Sequence, residues 1–200
     1  MAGEHYFSAD PAVAHERHEV VFHALDQEFR LASASGVFSW SGLDRGTAVL
    51  LGEAPLPGPQ TEGALLDLGC GYGPISVVLA TAAPRTTVYA IDVNQRALEL
   101  VRENAGGRRI VAAMPDEVPA TVSFAQIWSN PPIRVGKAEL HALLLRWLPR
   151  LAPDGVAWLV VAKNLGGDSL QRWLAEQGFA AERHASDKGF RVLKVGKPLS

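Results

Sequence analysis

One cysteine in 200 residues, Cys70, leaves an internal disulfide without a partner and a multi-cysteine zinc site without ligands. No apolar run approaches the ~18–20 residues that span a bilayer, and the polar start MAGEHYFSAD lacks the apolar stretch of a secretory signal. Neither a phosphate-binding P-loop nor the nucleophile elbow of a serine hydrolase occurs. Six scattered histidines have no companion carboxylates or cysteines at ligand spacing, so no metal is expected. An excess of one charge is lacking too. Nineteen Lys and Arg stand against 21 Asp and Glu, a net of −2, so bulk electrostatics draws the chain to neither nucleic acid nor an anionic membrane. What remains is a cytoplasmic globular protein, monomer or homodimer, with 48% apolar residues to fill a core.

The first fifty residues form an extension. Partly alternating runs at His18–Leu25 and Glu28–Ala32, about Asp26-Gln27, predict a hairpin. A loop follows at Gly36–Trp40, and Asp44 is placed to cap a short helix through Ala48–Leu51. Ala54-Pro55-Leu56-Pro57-Gly58-Pro59 is the richest breaker run, a linker or a long ordered connection. The division is thus 1–52 extension, 53–63 connection and 64–200 core, in a single domain.

The core alternates. Strand-like runs at Ala64–Leu68, Thr86–Ile91, Arg109–Ala113, Phe124–Trp128 and Val156–Ala162 are interleaved with helical periods at Ile75–Ala83, Gln95–Ala105 and Ala138–Leu151. A last helix at Asp168–Gln177 precedes two short strands, Phe179–His184 and Phe190–Val195, close enough for a hairpin. The pattern predicts an α/β, Rossmann-like doubly wound sheet of seven mostly parallel strands with an antiparallel last strand. In such sheets ligands bind at the carboxyl ends of strands, near the reversal of strand order.

The first core strand ends in Asp67-Leu68-Gly69-Cys70-Gly71-Tyr72-Gly73-Pro74. Glycines at alternate positions permit a tight turn and a close ligand, and Pro74 suits the first turn of a helix. Asp92, 19 residues beyond Gly73, ends the second strand, where a carboxylate can accept both hydroxyls of a ribose. Alone, the loop is equally a plain strand-to-helix turn. Asp67 argues against a pyrophosphate and for a ligand with a cationic amino-acid end.

The run resembles motif I of class I S-adenosylmethionine-dependent methyltransferases. The resemblance implies that Gly69, Cys70, Gly71 and Gly73 underlie the methionine moiety, with Asp67 near its amino end and Asp92 on the ribose. S-adenosylhomocysteine would be the product, and Cys70 has no nucleophilic role. Asp116, after the third strand, resembles the acid that accepts from the adenine amino group, although a solvated loop acid is nearly as good a reading and Pro115 offers no N–H there.

Ser129-Asn130-Pro131-Pro132-Ile133 ends the fourth strand. A planar exocyclic amine is a poor nucleophile because its lone pair is delocalised. An Asn side-chain oxygen and the next main-chain carbonyl can hold its two N–H groups and direct the lone pair at a methyl carbon. Asn130 and Pro131 would supply these acceptors and Pro132 would stiffen the loop. The run resembles motif IV of amino-group N-methyltransferases, with Ile133 where an aromatic platform is usual. Asn130–Lys137, with Gly36-Val37-Phe38-Ser39 and Leu43–Thr47, resembles the small-domain methyltransferases, which include the catalytic domain of ribosomal RNA guanine-N2 enzymes. That implies methylation of guanine N2 in ribosomal RNA. The alternatives are a protein glutamine amide and a non-catalytic binding module of the same fold. Phe38 would pack over the cofactor or simply anchor the hairpin. Ile133, Arg134, Lys137 and Lys163 would meet substrate, though Lys163 reads equally as a surface lysine.

The charge is divided at the motif. Residues 1–133 hold eight Lys and Arg against 15 Asp and Glu, whereas from Arg134 onward eleven stand against six. Arg183, Lys188, Arg191, Lys194 and Lys197 crowd the last strands, a modest argument for an RNA partner.

Overall fold

The computed structural model describes residues 16–132 and 136–198. The chain opens with a separate antiparallel hairpin of β1 (Arg17–Ala24) and β2 (Gln27–Ala34). Its turn is Leu25-Asp26, one residue earlier than the alternation suggests, because both residues take positive φ (51° and 56°) and form the primed turn that matches strand twist. Val20, Phe22, Phe29 and Leu31 are buried on one face, and Phe22 lies opposite Phe29 with ring centroids 5.4 Å apart. Asp44 caps α1 (Arg45–Glu53) by accepting from the Thr47 N–H.

Residues 54–63 are an ordered connection. The Gly58 N–H donates to Thr61 Oγ1 and the Thr61 carbonyl accepts from Thr86 Oγ1, while Ala54 is buried. Then come β3 (Ala64–Leu68), α2 (Pro74–Ala82), β4 (Val88–Ile91), α3 (Gln95–Asn104), β5 (Ile110–Ala113), β6 (Phe124–Ser129), α4 (Lys137–Trp147), β7 (Leu151–Ala162), α5 (Gly167–Glu176), β8 (Phe179–Asp187) and β9 (Phe190–Pro198). The seven-stranded sheet runs β5-β4-β3-β6-β7-β9-β8. Its first five strands are parallel, and β9 is antiparallel to both β7 and β8.

Two boundaries differ most from the sequence reading. α4 stops at Trp147 rather than Leu151, since Pro149 has no N–H for a continuing helix and Leu148–Arg150 tightens into a 3₁₀ turn. β7 begins at Leu151 rather than Val156, pairing Leu151 with Phe124 across a register break that absorbs Pro153-Asp154-Gly155.

Central strands are apolar on both faces because helices cover both. Leu65 faces a core shared with the hairpin, α1, α2 and α3, whereas Leu66 and Leu68 face one shared with α4 and α5. The chain runs outward from β3 to β5 and returns to β6 on the other side of β3. The crevice between the carboxyl ends of β3 and β6 is therefore the point of strand-order reversal. Among the described residues, no helix is long and apolar enough to cross a membrane.

Candidate active site

The turn between β3 and α2 depends on glycine where φ is positive. Gly71 takes 54° and Gly73 takes 88°, and a Cβ on Gly73 would stand 3.0 Å from Cγ2 of Val101 on α3. Gly73 precedes α2, and Pro74 takes the first helical position without losing a helical bond.

Asp67 is fully buried beneath this loop. Its Oδ2 accepts from the Ser76 N–H (2.9 Å) and the Ser76 hydroxyl (2.6 Å), while Oδ1 has no partner among the described residues. Burial pushes the carboxyl up to about 7 against the pull of both Ser76 bonds. An unmet buried acceptor is costly, and a cationic amino group would both satisfy it and favour the carboxylate. Asp92, just after β4, accepts from the Gly71 N–H through Oδ2 and from the Asn94 N–H through Oδ1, each at 2.9 Å. Burial raises its carboxyl too, and these N–H groups oppose the rise. The Val93 N–H opposes it as well, and a carboxylate with about four acceptor sites can still receive a neighbouring hydroxyl.

Across the crevice β6 ends at Ser129, and Asn130 follows. Asn130 Nδ2 donates to Asp44 Oδ2 at 2.7 Å and to Thr47 Oγ1 at 3.0 Å. Oδ1 is the end of the amide that meets no donor among the described residues. Pro131 is buried, and the Pro132 ring lies beside Gly69. Phe38, Asp44, Thr47, Gly69, Gly71 and Asn130 line one cleft of about 310 Å³ counting its open mouth. A larger groove, about 930 Å³ on the same measure, runs past Thr61, Arg85 and Val122 at the amino ends of the strands. It contains none of these groups and lies away from the strand-order reversal.

The family model of the methyltransferase small domain matches residues 28–194 of the chain. The chain belongs to the methyltransferase small domain family. It is a methyltransferase of that family, with the α/β Rossmann-like fold. This methyltransferase is 35% identical over 200 residues to the uncharacterised protein YbxB of Bacillus subtilis, covering 97% of this chain and 98% of that one. It is 39% identical over 145 residues to ribosomal RNA small subunit methyltransferase C of Pseudomonas aeruginosa, covering 68% of this chain and 42% of the relative. The chain therefore spans about two fifths of that enzyme. Its fold matches the T. thermophilus 16S rRNA N2 methyltransferase in complex with AdoMet and guanosine, with a TM-score of 0.75, 22% identity, and 94% and 52% of the two chains covered.

The tertiary structure of this methyltransferase gathers Phe38, Gly69, Cys70, Gly71 and Asn130 at one cleft. Phe38 is partly exposed there, and Cys70 is a buried thiol whose burial pushes it up. Asp116 is exposed and ion-paired with Arg146 at 2.6 Å, off the cleft wall. Lys137 begins α4 and Lys163 follows β7, both exposed. Ile133 and Arg134 lie outside the described residues. The basic surplus of the last strands is partly spent on local pairs: Lys188 with Asp187 (3.4 Å), Arg191 with Asp168 (3.2 Å) and Lys194 with Glu182 (3.1 Å). Sequence reasoning placed Asp44 only as a helix cap and gave Thr47 no role at the cleft.

Proposed function

We propose that the protein transfers a methyl group from S-adenosylmethionine to the exocyclic amino group, N2, of a guanine in ribosomal RNA. One observation carries the reading. Asn130 stands at the carboxyl end of β6, on the same cleft as the glycine loop at the end of β3, with its amide oxygen unengaged. The names of the Pseudomonas relative and of the T. thermophilus structure support the RNA substrate and N2 as the target.

The cofactor, when bound, supplies a sulfonium-activated methyl group. Asp67 Oδ1 would receive its amino end and Asp92 its ribose hydroxyls, above the Gly69–Gly73 backbone. Asn130 Oδ1 and the Pro131 carbonyl would accept from the two N–H groups of the target amine. That alignment localises the nitrogen lone pair and stabilises the charge that develops on the nitrogen. Pro131 and Pro132 keep the acceptors in place. Phe38 would cover the cofactor, Asp116 would reach the adenine only by leaving Arg146, and Ile133, Arg134, Lys137 and Lys163 would meet the RNA.

The test is single-turnover transfer of radiolabelled methyl to undermethylated small ribosomal subunits, free RNA and protein fractions. Label in the RNA as N2-methylguanine is expected, and Asn130→Ala should lose about 10³-fold in rate while binding cofactor normally. Label in a glutamine amide, or unchanged turnover by Asn130→Ala, would overturn the reading.

A further inference from the structure

We infer that Asp44 and Thr47 are positioning residues that decide which end of the Asn130 amide faces the substrate. The inference rests on the reading of Asn130 given above and extends the reaction machinery into the N-terminal extension.

An Asn side chain has a donor end and an acceptor end of nearly equal shape, and packing alone distinguishes them poorly. A carboxylate oxygen can only accept. Asp44 Oδ2, 2.7 Å from the amide, therefore requires Nδ2 there, and Thr47 Oγ1 at 3.0 Å receives the second amide hydrogen. With both hydrogens engaged, Oδ1 is the end left for the cleft. The reversed amide would set its carbonyl oxygen against the Asp44 carboxylate, acceptor against acceptor, and present a donor to an amine that itself needs acceptors.

The holder is rigid for local reasons. Asp44 is the N-cap of α1, and the same Oδ2 takes the Thr47 N–H at 3.0 Å. The helix N-terminus favours that negative charge. Thr47 is buried, and Gly46 between the two leaves them room. A Cβ on Gly46 would stand 2.9 Å from Asp44 Oδ2, 3.0 Å from Phe190 Cε1 and 3.3 Å from Asn130 Nδ2. The first turn of α1 thus presents one carboxylate and one hydroxyl to Asn130 at the end of β6, 86 and 83 residues away in sequence.

The experiment is a double-mutant cycle in the full chain. Single-turnover methyl transfer to undermethylated small ribosomal subunits is measured alongside S-adenosylmethionine affinity by calorimetry. Thr47→Val keeps the shape and removes the hydroxyl. Asp44→Ser keeps a cap oxygen for the Thr47 N–H but is too short to reach Asn130. Gly46→Ala removes no polar group and displaces Asp44. Each is expected to slow transfer about 10- to 100-fold, as a small misplacement of a reacting group does, with cofactor affinity unchanged. Thr47→Ser should recover the wild-type rate. In an Asn130→Ala background, Thr47→Val should cost nothing further. If it costs the same in both backgrounds, or if all three variants turn over normally while Asn130→Ala is dead, positioning is overturned and the role of Asn130 stands. A loss of rate matched by lost cofactor affinity would assign Asp44 and Thr47 to the fold. Full turnover by Asn130→Ala would overturn both readings.

Discussion

The Ser129 hydroxyl donates to the Leu68 carbonyl at 2.7 Å, fastening the end of β6 to the end of β3. Both residues are buried, and the bond joins the strand that carries Asn130 to the strand that carries the glycine loop. Parallel strands diverge where their ladder ends, so a side-chain bond at that point sets the width of the crevice. Ser129→Ala should lower stability by about 1 kcal/mol in urea unfolding. It should also slow methyl transfer, because the two halves of the site are no longer held in register.

Asp67 should couple cofactor binding to pH. In the ligand-free fold its carboxyl is pushed up to about 7, while in the unfolded chain it titrates in the ordinary carboxylate range. The folded state therefore holds a proton that the unfolded state has released between those values. The stability this provides is fully present below the ordinary range and lost as pH rises through about 7. A cationic amino group beside Oδ1 would draw the proton off, so cofactor binding at pH 6.5 should release protons into the buffer. Calorimetry in buffers of different ionisation enthalpy measures that release. Asp67→Asn should abolish it, weaken binding, and flatten the urea midpoint between pH 4 and 8 relative to wild type.

Asp92 holds the Gly71 and Asn94 N–H groups, and in the proposed function it also receives the ribose hydroxyls of the cofactor. Asp92→Asn puts an NH₂ where an acceptor is needed. Cofactor affinity should fall by roughly 2 kcal/mol, or about 30-fold in Kd, and calorimetry would show it.

Asn104 staples the hairpin to the core. It receives the Ala32 N–H at 2.8 Å and donates to the carbonyls of Ala32 (2.8 Å) and Tyr72 (2.9 Å). Asn104→Ala should cost about 2 kcal/mol and expose residues 25–42 to limited proteolysis. Because Tyr72 belongs to the glycine loop, cofactor should protect the wild type more than the variant.

RNA binding should weaken with salt, since phosphate contacts release counterions. Lys137 begins α4, seven residues after Asn130 in sequence, and is exposed, while Lys188, Arg191 and Lys194 are already paired. Lys137→Gln should therefore reduce the salt slope of binding, measured by filter retention, more than Lys194→Gln. Affinity indifferent to salt would favour the glutamine amide.

Much of this site was legible in the chain because its signals are local. Period-2 and period-3.6 patterns placed the strands and helices, and glycines at 69, 71 and 73 announced a turn that the structure gives positive φ. Asp67, Asp92 and Asn130 are strand-end residues, and a parallel sheet brings strand ends together whatever lies between. One local signal misled. Pro153-Asp154-Gly155 reads as a break, yet Leu151 already pairs with Phe124 before it. Asp116 reads as a pocket acid or as a solvated loop acid, and the fold pairs it with Arg146 on α4.

What the sequence determined by itself is the kind of chemistry: an acceptor residue on a stiff proline loop, beside a glycine turn followed by distant acids. What only the tertiary structure decided is the direction of the Asn130 amide. No pattern within reach of residue 130 names Asp44 or Thr47, because the contact is made by two elements packed from opposite ends of the chain. Hydrogen bonds of that span arise from packing rather than periodicity, and they turn a side chain with two nearly identical ends into an oriented acceptor.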